Sequence, residues 1–120
     1  MPKKTPPFKH YPVWTTSRFW SFVRSSLRRS FTRWPPKYAC INNARKRLTE
    51  RERKGKGRQV YKYQCAGCKK YFKRTDVEVD HIVPCGSLKD YSDLPQFVER
   101  MFVDENGLQL LCKPCHKEKK

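Results

Sequence analysis

Asp80 and His81 stand side by side in VEVDHIVPCGSL, residues 77–88, and two Cys-x-x-Cys pairs bracket them: Cys65/Cys68 before, Cys112/Cys115 after, with His116 directly behind the last cysteine. A carboxylate beside an imidazole offers a hard cation ligand next to a base that works near neutral pH, and His116 can complete such a site. The cysteines follow a different logic. Two Cys-x2-Cys pairs with 43 residues between them suit tetrahedral thiolate ligation of zinc, which needs two pairs able to face each other. Cys65, Cys68, Cys112 and Cys115 therefore read as a structural zinc site that ties together the two ends of the segment carrying Asp80-His81. A redox Cys-x-x-Cys would explain one pair and leave the other idle. CKPCH at 112–116 also fits the attachment pattern of c-type haem, with His116 as axial ligand, but haem attachment requires export and leaves Cys65/Cys68 without a role. Cys40 and Cys85 lie outside these patterns and are expected as buried or free thiols.

The elements that position these residues divide by charge. Residues 1–59 hold 17 Lys/Arg against only Glu50 and Glu52, whereas residues 60–120 hold 11 against nine acids. The first half is thus an adaptor for a polyanion, nucleic acid being the commonest, with Arg18, Arg24, Arg28, Arg29, Arg33, Arg45, Lys46 and Arg47 as candidate backbone contacts. Aromatic residues crowd positions 8–38, which a merely solvated tail would not need. On this reading residues 1–58 form a basic, Pro- and aromatic-rich arm with two amphipathic helices, and residues 59–120 form a zinc-braced domain. With 37% hydrophobic and 32% charged residues the core is small and calls for a metal, a partner or crosslinks. No apolar run approaches the ~20 residues of a spanning helix. The N-terminus lacks the apolar stretch of a secretory signal, so a cytoplasmic location is expected. A basic helix bearing Trp and Phe also suits a membrane surface, but the second helix is too weakly apolar to insert, and no membrane role is expected.

In order, residues 1–13 carry four of the nine prolines and are expected to be extended. Residues 15–34 read as a helix on the stripe Trp20, Val23, Leu27, Phe31 and Trp34, with Thr15, Thr16 or Ser17 as N-cap. The stripe is expected to pack on the next helix or on a partner protein. Pro35-Pro36 ends that helix and opens the next, read over 36–53 on Ile41, Ala44 and Leu48. GKGR at 55–58 is a hinge. VYKYQC (60–65) alternates as a strand, CAGC turns, and KKYFKR (69–74) returns. A strand follows at 77–82, with a bulge or a strand end expected where Asp80 and His81 would otherwise face opposite ways. Then come a short helix near 94–103, a DENG turn, the strand LQLLC and a helix from KPCHKEKK. The fold class is α+β.

VDHIVP followed by ENGLQLLCKPCH resembles the HNH nuclease family, over about residues 60–120, and FWSFVRSSLRRSFTRWPP is similar to the N-terminal region of small bacteriophage HNH proteins. The resemblance implies a ββα-metal motif holding one divalent cation, magnesium or manganese, with nickel or zinc also admitted by an imidazole ligand. It implies that Asp80 binds the cation, His81 is general base, Asn106 holds the ring of His81, and His116 is the second protein ligand. The family places its Asn directly before the Leu of the Leu-x-x-Leu-Cys strand; here Gly107 fills that place and Asn106 sits one residue earlier. The implied activity is hydrolysis of DNA phosphodiester bonds, by nicking or double-strand cutting. Double-stranded DNA is the implied substrate. The implied setting is bacteriophage genome processing in the host cytoplasm, beside the large terminase or another packaging protein. The rival from another class is a non-catalytic zinc-ribbon DNA-binding protein, for which the cysteines and basic arm suffice.

Overall fold

Thr15 opens the longest helix of the protein: its backbone is extended and its hydroxyl accepts the Arg18 N–H at 3.1 Å, leaving α1 to run Thr16–Phe31. The fold is that of a computed structural model, which describes residues 5–118; the first residues of the expected arm and the last two lysines lie outside them. The chain is a small α+β protein made of two compact units, one from residues up to 34 together with 83–102, the other from 35–82 together with the residues from 103 on. Charge divides the chain after residue 58; compactness divides it after 34 and sets 83–102 in the first unit.

In the first unit the arm does not stay extended. Residues Pro7–Phe8 (β1) pair antiparallel with Tyr11–Thr15 (β2), and Thr16 N–H binds the Pro6 carbonyl at 2.8 Å. This fold-back lays the buried Phe8 ring on Phe19, centroids 3.8 Å apart. The apolar stripe of α1 buries Trp20 and Phe31. Its cover comes from residues 83–102, where the α4 helix (Leu94–Met101) buries Phe97 and Met101, and Tyr91 meets Trp20 edge-on at 4.9 Å. Trp34 lies beyond the end of α1, with its ring against Phe102. The Arg24 guanidinium donates to the Leu88 carbonyl at 2.8 Å, fastening α1 to a fully buried residue of the insertion.

The second unit corrects the expected helix over 36–53. Helix α2 begins on Pro35-Pro36, spans Pro35–Asn43 and stops; Arg45–Arg47 (β3) then pairs in register with Tyr61–Gln64 (β4), Arg45 opposite Tyr63 and Arg47 opposite Tyr61. Ile41 and Leu48 are buried as expected, but Leu48 is held by its N–H on the Val60 carbonyl at 2.7 Å. A capping box, Thr49 with Glu52, starts the single turn α3 (Glu50–Arg53). Tyr71–Phe72 (β5) completes a three-stranded sheet in the order β3-β4-β5. Val77–His81 (β6) and Leu108–Cys112 (β7) form a separate antiparallel pair, and Lys113–Glu118 (α5) follows directly from β7. Helix α2 packs on this pair. The core here is Cys40, Ile41, Leu48, Val77, Leu108, Leu110 and Leu111, with Cys65 and Cys112.

Candidate metal centres

The turn between β4 and β5 is built to present sulfur. Cys65 N–H binds the Lys70 carbonyl and Lys69 N–H the Cys65 carbonyl, a tight loop that Lys69 closes at φ 65°, in the left-handed region. Gly67 and Cys68 N–H groups point at the Cys65 sulfur, at 3.3 and 3.5 Å. Ala66 N–H reaches the Leu110 carbonyl at 2.8 Å, so the turn is fastened to β7, which ends in Cys112 and leads into α5 with Cys115. Gly67 fits closely here: a Cβ would stand 3.1 Å from the Cys115 sulfur and press on it.

These constraints gather the four sulfurs of Cys65, Cys68, Cys112 and Cys115 within 4.8 Å of one another, Cys68 to Cys112 at 3.9 Å. Thiolates about 2.3 Å from a tetrahedral ion stand roughly 3.8 Å apart, so the cluster fits a structural metal such as zinc. Its electrostatics point the same way. Burial pushes the Cys65 thiol up, but N–H groups of Cys112, Cys68 and Gly67 outweigh it and hold the thiol down at about 6. Cys115 is pushed up to about 12, first by its contact with Cys112 and then by Cys65. Four sulfurs this close cannot all be anionic unless a cation lies among them. None of the six cysteines is in a disulfide; outside the cluster Cys40 is buried and Cys85 half-buried, and burial raises both thiols.

A second cluster lies on the neighbouring face of the β6–β7 pair. Asp80 stands opposite Gln109, whose amide donates to Asp80 Oδ2 at 3.0 Å, while Asp80 Oδ1 lies 3.5 Å from His116 Nε2 on α5. The carboxylate and the imidazole thus approach each other at ion-pair distance from strand and helix. The Asp80 side chain is 15% exposed and that of His116 43%, leaving solvent access on the imidazole side. Glu78, which sequence reasoning passed over, faces the other ring nitrogen: its Oε2 is 3.2 Å from His116 Nδ1. Residues two apart on a strand share a face, so Glu78 lies on the Asp80 side, but its meeting with His116 depends on where α5 lies.

His81 is the last residue of β6, half-buried, and the ladder runs regularly through both Asp80 and His81, to Gln109 and Leu108, so the expected bulge is absent and the strand ends only after His81. Next to it, Ile82 N–H binds the Gly107 carbonyl at 3.0 Å. Asn106 is exposed on a 3-10 turn, Glu105–Gly107, whose entry Asp104 caps by accepting the Asn106 N–H. At Gly107 a Cβ would lie 2.8 Å from Val103 Cγ2 and 2.9 Å from Val103 Cβ, so a side chain there would need Val103 to move.

The candidate polyanion contacts are spread over both units. Arg28, Arg29 and Arg33 are exposed at the C-terminal end of α1 and just beyond, and Arg18 covers the Trp14 ring at 4.6 Å. Arg24 is turned inward onto Leu88, as above. Arg45, Lys46 and Arg47 are exposed on β3, with Arg45 over the Tyr61 ring at 4.1 Å. Among the described residues no helix is long and apolar enough to cross a membrane. No family model matches the chain, and comparison with curated proteins and with solved structures finds no match.

Proposed function

We propose that the protein is a metal-dependent DNA endonuclease of the HNH type, with β6, β7 and α5 as its ββα-metal module and a four-cysteine zinc site as its brace. The observation that carries this reading is the 3.5 Å approach of Asp80 and His116, from strand and helix, with His81 next in sequence as the last residue of β6. The sequence resemblance of VDHIVP and ENGLQLLCKPCH supports it.

A phosphate diester resists hydrolysis because it is anionic and because hydroxide is scarce at neutral pH. His81 takes the proton of the attacking water as general base. Asp80 and His116 would hold a divalent cation, magnesium or manganese, which would supply charge stabilisation as phosphodiester negative charge builds up. Asn106 is assigned to hold the His81 ring from the adjoining turn; Asn106→Ala should slow cleavage and leave cation affinity unchanged. The exposed arginines grip the backbone of double-stranded DNA, which positions without specifying sequence. A bacteriophage packaging role beside a large terminase in the host cytoplasm follows from the resemblance. The test is nicking of supercoiled plasmid by the zinc-loaded protein with added magnesium, manganese or nickel and with chelator. Metal-dependent nicking is expected. DNA binding with no cleavage under any cation would favour the zinc-ribbon binding module.

A further inference from the structure

We infer that Glu78 is a positioning residue for His116: it accepts the proton on Nδ1, fixes the ring, and so directs the lone pair of Nε2 at the cation beside Asp80. The inference rests on the cation site proposed above and concerns a residue to which that proposal gives no role.

Three observations carry it. The imidazole lies between two carboxylates, Glu78 Oε2 at 3.2 Å from Nδ1 and Asp80 Oδ1 at 3.5 Å from Nε2, so each ring nitrogen faces a different acid. Glu78 and Asp80 are two apart on an unbroken strand, so the β6 backbone fixes the distance between support and ligand. The other ligand has its own support: Gln109 donates to Asp80 Oδ2 at 3.0 Å, which leaves Oδ1 as the oxygen on the His116 side. Each candidate ligand thus has one atom toward the other and one atom on a supporting residue. Supports of this kind fix the tautomer of a ligating histidine and raise its basicity, and removing one typically costs 10–100-fold in metal affinity.

A plain surface pair would behave otherwise. The Glu78 and His116 side chains are 49% and 43% exposed, and an ion pair of that kind contributes little to folding. Its removal would leave metal binding untouched.

The experiment measures manganese binding to the full-length, zinc-loaded chain by the loss of the free-ion electron paramagnetic resonance signal. It compares the wild type with Glu78→Ala, Glu78→Gln, Asp80→Ala and His116→Ala, with zinc content as the check on folding. Glu78→Ala should weaken manganese about 10–100-fold, and Glu78→Gln, whose amide oxygen still accepts the Nδ1 proton, should recover most of that affinity. Wild-type affinity in Glu78→Ala, with Asp80→Ala and His116→Ala both impaired, overturns the inference and leaves the cation site standing. Equal weakening in Glu78→Ala and Glu78→Gln also overturns it, since charge or direct ligation would then be what matters. If wild type, Asp80→Ala and His116→Ala bind manganese alike, the cation site fails and the inference falls with it.

Discussion

Gly107 sits in the turn before β7 with the Val103 side chain against it. A β-carbon there would press into Val103, so Gly107→Ala should destabilise the protein by about 1–3 kcal/mol, the usual range for overpacking, and Val103→Gly, which removes both contacting carbons, should make the Gly107→Ala change less costly in the double variant. Thermal melts of the two single variants and the double check this; a neutral Gly107→Ala would remove the steric explanation. At this scale the cysteine cluster was legible because ligand spacing is a local property of the sequence, whereas Asp80, His81 and His116 were singled out by residue type alone. Glu78 was not, since an acid alternating with valines reads as a solvated face until the strand's register with β7 and the position of α5 are known. The clash at Gly107 was invisible for the same reason: it depends on where Val103 lies across a turn.

Among the elements, the Cys65–Cys68 turn, β7 and α5 depend on one another. The turn reaches β7 through a backbone hydrogen bond from Ala66, and Phe72 packs on the cluster of Cys65, Leu111 and Cys112. Binding energy of a structural metal is folding energy, so Cys68→Ser should release the zinc and unfold most of the unit that holds β6 and β7. Metal analysis together with near-ultraviolet circular dichroism tests this, and a folded, zinc-free Cys68→Ser protein would contradict it. The strands and helices of residues 60–118 were legible because alternation, turn residues and Pro positions agree there. The helix expected over 36–53 failed because Arg45–Arg47 takes its structure from a non-local partner, β4, which outweighs a weak stripe of Ile41, Ala44 and Leu48. A local sign of the break was present in Thr49-x-x-Glu52, a capping box that restarts a helix at 50.

For the molecule as a whole, the charge asymmetry of the sequence translates into separate groups of exposed cations, and their members are not equivalent. Replacing Arg28, Arg29 and Arg33 together by Gln should lower the slope of log affinity against log salt by roughly 2–3, about 0.9 for each phosphate that is no longer neutralised. Arg24→Gln should instead lower the melting temperature and leave the slope unchanged, because its guanidinium is committed to the Leu88 carbonyl. Filter-binding titrations at several salt concentrations separate the two; a slope that ignores the triple substitution would assign that end of α1 to another partner. The division into two units was not legible, since composition changes near residue 58 while the 83–102 insertion joins α1 only through tertiary packing. Assignment of the protein as a nuclease turns on cleavage, and the sharpest measurement is the single-turnover nicking rate of zinc-loaded His81→Ala against the wild type at saturating manganese. With His81 as general base, the rate should fall about 10²–10⁴-fold while zinc content, manganese affinity and DNA affinity stay unchanged; an undiminished rate in the folded variant would refute that role.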